Sequence, residues 1–204
     1  MAEKSIYLAS RSPRRRELLK QIGIDFEMLL LRSDPRRGVD VDETPLPGEP
    51  PLDYAVRIAR LKAEVGVRAT AMRSLRAKPV LAADTTVVLG DAIIGKPQDR
   101  EDAVHILSAL SGREHEVISV VAMANRDLVE HRVSASRVWF RTLSEEEVRR
   151  YADTGEPLDK AGAYGIQGRA GVFVTRIEGS YSGIMGLPLA ETSELLQKFG
   201  VAVL

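Results

Sequence analysis

The chain has 204 residues, 44% hydrophobic and 28% charged, with 29 Lys and Arg balanced by 29 Asp and Glu and no cysteine. A formal net charge of zero argues against a nucleic-acid-binding or anionic-membrane protein, so an anionic partner must be small and met by local cations. Without cysteine there are no disulfides, thiolate metal sites or cysteine nucleophiles. Residues 1–8 lack a signal-peptide core and no apolar run reaches membrane-spanning length, so a soluble, cytoplasmic protein is expected.

Ile6, Leu8 and Ala9 suggest a first strand, and Ser12-Pro13 reads as a helix start, a hydroxyl N-cap before proline. Leu18, Leu19 and Ile22 form that helix's apolar stripe, Gly23 ends it, and Phe26 to Leu31 reads as a second strand. Residues 32–51 hold five of the ten prolines with Asp34, Asp40, Asp42 and Glu43, a long acidic loop of the kind that is functional or mobile. A helical period runs from Leu52 to about Val65, and Val80 to Leu89 reads as a buried strand. Gly90-Asp91 then turns the chain into a short partner strand, Ala92 to Ile94. Asp99 opens a helix to about Leu110, and strands over Glu116 to Ala124 and Val129 to Phe140 flank a turn at Asn125-Arg126-Asp127. Ser144 and Glu147 spell a capping box. Residues 155–186 hold eight of the sixteen glycines and little helical pattern, with a strand at Val172 to Ile177, before a closing helix at Glu191 to Phe199. The expected architecture is α/β with a mixed β-sheet and two lobes, in one domain over residues 1–204.

Asp84 stands in an otherwise apolar, β-branched run. A lone buried carboxylate costs several kcal/mol, roughly, unless a cation or donors compensate it, so Asp84 either caps a loop or serves a site. Lys62 falls opposite the polar helix face of Arg57, Arg60 and Glu64, so it either snorkels to solvent or meets an anion. Arg14 and Arg15 sit at a helix start, where positive charge is unfavourable unless an anion is bound. Gly90 to Pro97 approximates a phosphate-binding loop but has proline where Ser or Thr should stand, so that motif is rejected while Lys96 remains a candidate cation. The three histidines, His105, His115 and His131, have no metal-ligand spacing. Hard carboxylates (Asp84, with Asp42 or Glu43) plus separated cations (Arg14, Arg15, Lys62, Lys96) suit Mg²⁺ or Mn²⁺ bound jointly with phosphates.

With these residues in view, the chain resembles the Maf family of nucleotide pyrophosphatases, in the branch acting on dTTP and UTP. The likeness rests on Leu8-Ala9-Ser10-x-Ser12-Pro13-Arg14-Arg15, Val41-Asp42-Glu43, Arg57-x-Ala59-x-x-Lys62-Ala63, Ala83-Asp84-Thr85, Gly95-Lys96-Pro97 and Ser111-Gly112-Arg113-x-His115. It continues through Asp159 to Gly168 and Gly186-Leu187-Pro188. The resemblance implies an inosine-triphosphatase-like fold with a cleft between lobes, a homodimer, a divalent metal, and a pyrimidine nucleoside triphosphate as substrate. It implies Asp84 as proton acceptor, Thr85, Arg14 and Gln167 as specificity positions, and Ser10, Arg15, Glu43, Lys62 and Lys96 as phosphate- and metal-handling positions. The chain departs from the pattern at Arg11 and in a longer loop over residues 32–51. A nucleotidyltransferase and a non-catalytic nucleotide-binding regulator of cell division are the alternatives.

Overall fold

The computed structural model describes residues 5–32 and 40–203, so the expectations placed on residues 1–4 and on Asp34 lie outside the described residues. Seven strands form one sheet in the order β2-β1-β3-β5-β6-β7, with β4 added along the far end of β3. These are β1 (Ser5–Leu8), β2 (Asp25–Met28), β3 (Val80–Leu89), β4 (Ala92–Ile94), β5 (Glu114–Ala124), β6 (Val129–Phe140) and β7 (Val174–Glu178). β1 runs parallel to β2 and β3, while β3, β5, β6 and β7 pair antiparallel. The sheet is therefore mixed, as expected from strands that first alternate with helices and then follow one another.

The helices are α1 (Pro13–Gln21), α2 (Pro51–Met72), α3 (Arg100–Leu110), α4 (Glu145–Asp153), α5 (Tyr181–Met185) and α6 (Leu189–Lys198). Several starts are chemically explicit. Asp99 accepts from Asp102 N at 2.8 Å, and Ser144 and Glu147 form the reciprocal box. Ser12 holds the N-cap position of α1, but its side chain makes no capping bond. The glycine-rich segment is less irregular than its composition suggests. Short 3₁₀ turns occupy Glu156–Asp159, Ala161–Ala163 and Arg169–Phe173, and α5 follows, capped by Ser180.

The second helix continues past the expected Val65 to Met72. Gly66, just past that expected end, lies inside the helix on its buried face. A Cβ there would meet Val80 Cγ1 at 2.6 Å, so the glycine lets α2 lie close on β3. Ala55, Ala59 and Ala63 continue the same small-residue face.

Alternation along β3 and β5 divides the core. Val80, Ala82, Val88, Val120 and Ala122 face α2. On the opposite face, Leu81, Ala83, Val121 and Met123 pack with α1 and α6. Further along that face, Val87 and Val117 pack with α3, α4 and the glycine-rich segment. The two lobes are these two clusters on one face of a shared sheet, and Asp84 and Thr85 fall on β3 where they part.

Candidate active site

A cleft of about 750 Å³ opens at that parting. Ser10, Arg14, Arg15, Glu43, Lys62, Asp84, Thr85, Lys96 and Gln167 all line it, so residues scattered over 158 sequence positions meet in one place. Ser10 follows β1, the arginines begin α1, Lys62 projects from α2, Lys96 follows β4, and Gln167 sits in the glycine-rich segment. A second hollow, between α3 and α4 and bordered by His105 and Arg149, holds none of these residues.

Asp84 is 8% exposed and pairs across the ladder with Val120. Its period-two position turns it to the α2 face, where Lys62 waits on the core side of its helix. Lys62 Nζ donates to Asp84 Oδ1 at 2.9 Å and lies 3.0 Å from Glu43 Oε2. Thr86, two residues along the same face, donates to Asp84 Oδ2 at 3.1 Å. The two sequence anomalies thus answer each other: the stranded lysine meets the stranded carboxylate. Tyr54 donates to the Glu43 carbonyl at 3.0 Å. Its own ionisation is pushed up to about 12, first by burial and then by the nearby Asp84 and Glu43 charges, so it remains a donor.

On the other face of β3, Thr85 stands directly opposite Ser119 of β5. Arg15 donates from Nη2 to Thr85 Oγ1 at 3.2 Å, from Nη1 to Ser10 Oγ at 3.3 Å and from Nε to Gly186 O at 2.7 Å. Burial lowers the Arg15 ionisation, opposed by Asp84, with Arg14 acting in the same direction as burial and Glu43 against it. The Thr85 and Ser119 hydroxyls are 2.9 Å apart, and Ser119 Oγ donates to Gly183 O at 2.6 Å. Guanidinium can only donate and a carbonyl can only accept, so the proton order is settled: Arg15 to Thr85 to Ser119 to Gly183. The Thr85 proton is therefore committed to Ser119. Ser119 is wholly buried and was not anticipated from the sequence. Its signal was the one Asp84 gave, a polar group inside the apolar run of β5, but strands accept hydroxyls too commonly for it to stand out.

Arg14 spans the cleft mouth to Asp159 at 3.5 Å. Among the described residues no group of three or more His, Asp or Glu side chains is placed to hold an ion. Asp84 and Glu43, bridged by Lys62, still fit Mg²⁺ or Mn²⁺, because such ions bind through one or two carboxylates when a polyphosphate supplies further oxygens. No helix among the described residues is long and apolar enough to cross a membrane.

Comparison with known proteins places this arrangement in context. The profile of the family described as "Maf-like protein" matches residues 5–199. A protein of Aromatoleum aromaticum named dTTP/UTP pyrophosphatase is 57% identical, over 96% of this chain and 95% of that protein. One of Dechloromonas aromatica with the same name is 54% identical, over 96% and 97%. Among solved structures, the Staphylococcus aureus Ham1 protein is 19% identical with a TM-score of 0.46, covering 96% of this chain and 97% of that one, a likeness too remote to bear on function.

Proposed function

Because the chain belongs to the Maf-like protein family, we propose that it is a dTTP/UTP pyrophosphatase, releasing the nucleoside monophosphate and pyrophosphate from a pyrimidine nucleoside triphosphate. The observation that carries this reading is the buried Asp84 carboxylate held between Lys62 and Thr86 in a cleft lined by six further cations, Arg11, Arg14, Arg15, Arg32, Lys96 and Lys160. Asp84 orients a water and accepts its proton as the water attacks the α-phosphorus, and the α–β anhydride bond breaks to give pyrophosphate. Arg15, Lys62 and Lys96 stabilise charge on the phosphate chain, with Ser10 and Arg14 beside them. Glu43 and Asp84 would hold the divalent cation together with phosphate oxygens, and that ion supplies Lewis-acid neutralisation of charge. Gln167 offers one donor and one acceptor, matching the N3–H and adjacent carbonyl of uracil or thymine. Thr85, its proton spent on Ser119, contributes to selection by holding Arg15.

We place the protein in the cytoplasm, acting as one domain and as a homodimer. The reading is tested with a panel of nucleoside triphosphates in Mg²⁺ or Mn²⁺, scored for monophosphate and pyrophosphate. Release of both products from dTTP and UTP without an acceptor supports hydrolysis over nucleotidyl transfer. Tight binding without turnover of any nucleotide would instead indicate a regulator.

A further inference from the structure

The residue assigned to the base, Gln167, sits on a turn with little rigidity of its own. Gly168 N donates to Gly165 O at 2.9 Å, closing a turn with Ile166 and Gln167 at its centre. Ile166 is 9% exposed and joins the core beneath α3 and α4, while Gln167 is exposed on the cleft. Glycines flank both central residues, and glycine leaves the backbone the widest choice of conformations. Reading a base edge needs donor and acceptor within a few tenths of an ångström of their partners. Something outside the turn must hold it.

Glu156 does so from both sides. Its Oε1 accepts the Tyr151 phenol at 2.9 Å, and that phenol oxygen accepts Gly165 N–H at 3.4 Å. Its Oε2 accepts Arg169 N–H at 3.3 Å. A Cβ built at Gly168 would lie 2.1 Å from Glu156 Oε1, so the carboxylate occupies the space a side chain there would need. Burial, followed by the Glu156 carboxylate, pushes the Tyr151 ionisation upward, which keeps the phenol proton in place as the link. Neither residue lines the cleft.

We propose that Glu156, acting through Tyr151 and the Arg169 amide, is a positioning residue that fixes the Gln167 turn and thereby sets how strictly the pyrimidine edge is read. The proposal rests on the pyrophosphatase reading. Its cause is preorganisation: a donor–acceptor pair held in place loses little on meeting the right base and is left unpaired by the wrong one.

The test compares kcat/KM for UTP with that for N3-methyl-UTP, which lacks the N3–H, in the wild type and in Glu156→Gln, Tyr151→Phe and Gln167→Ala. The wild type prefers UTP. Both clamp variants lower that preference by about ten-fold, and adding Glu156→Gln to Gln167→Ala changes it no further. Tyr151→Phe keeps its ring in the core, so a melting temperature close to the wild type separates positioning from unfolding. Equal losses on both nucleotides with the preference intact, or no change at all, overturn the proposal. So does a wild type that turns over UTP without preferring it. A wild type that hydrolyses neither nucleotide, dTTP included, defeats the pyrophosphatase reading itself and is seen before any variant is made.

Discussion

The two walls of the cleft are built on different principles. One wall is made by β1, α1, α2 and β3, where Asp84, Lys62 and Arg15 sit on regular elements, Lys62 bonding to Asp84 and Arg15 to Thr85, Ser10 and the Gly186 carbonyl. The facing wall is the segment from Gly155 to Phe173, made of 3₁₀ turns, where Gln167 is exposed and its support comes from behind, through Glu156 and Tyr151. The contrast follows from what each wall must meet. A triphosphate carries concentrated charge, and charges held in advance at low exposure act more strongly than mobile ones in water. A base edge is flat and nearly neutral, so recognition there depends on placing one amide, which a short supported turn can do.

The largest expected effect comes from breaking the ionic wall at its centre. Asp84→Asn removes the proton acceptor and should lower turnover by about 10²–10⁴-fold, while calorimetric titration still detects nucleotide binding. Near-normal turnover would remove Asp84 from the mechanism.

The second effect belongs to the turn wall and is read as acid sensitivity. His115, 2% exposed, bonds through Nε2 to the Tyr164 hydroxyl at 2.8 Å, just before Gly165. Burial holds its ionisation down to about 4, below the usual 6.5. Between these values the unfolded chain binds the proton and the fold does not, so stability is full above about pH 6.5 and falls as the pH drops toward 4. The total is about 3 kcal/mol. Chemical denaturation of His115→Phe at pH 7 and pH 5 should show a smaller loss between the two than the wild type; an equal loss would mean that other groups govern the acid limit.

The smallest effect sharpens the contrast. Ser119→Ala leaves the Thr85 hydroxyl without its acceptor and takes one of two donors from the Gly183 carbonyl, which keeps the Gly186 N–H at 2.9 Å, costing about 1–3 kcal/mol of stability. With the Arg15 anchor loosened, KM should rise a few-fold for UTP and N3-methyl-UTP together, so that the ratio between these two stays constant. A change in that ratio would show that the two walls are not independent.

Much of the ionic wall was legible in the chain because its members break local patterns. Asp84 interrupts a strand, Lys62 lies on the wrong side of a helical wheel, and Arg14 and Arg15 oppose a helix dipole. Lys96 and the pair Asp42 and Glu43 were candidates by residue type, and the family resemblance then chose Glu43 and added Thr85 and Gln167. The supports were not legible. Glu156 and Tyr151 break no pattern, since an acid after a helix and an aromatic within one are ordinary. The full length of α2 was not legible either: it runs past Val65 to Met72, and Gly66 serves the close approach of the helix to β3, which exists only once the sheet is in place.

Local chemistry in the sequence was enough for the alternation of β3, the amphipathic helices, the capping box of α4 and the groups too costly to bury alone. Those properties depend on residues within a few positions of one another, which is why they can be read from one dimension. Which carboxylate a lysine would meet, which hydroxyl would receive the Thr85 proton, and what would brace the Gln167 turn were decided only by packing. Each of those bonds joins separate elements, and its partner exists only once the tertiary fold has brought the two together.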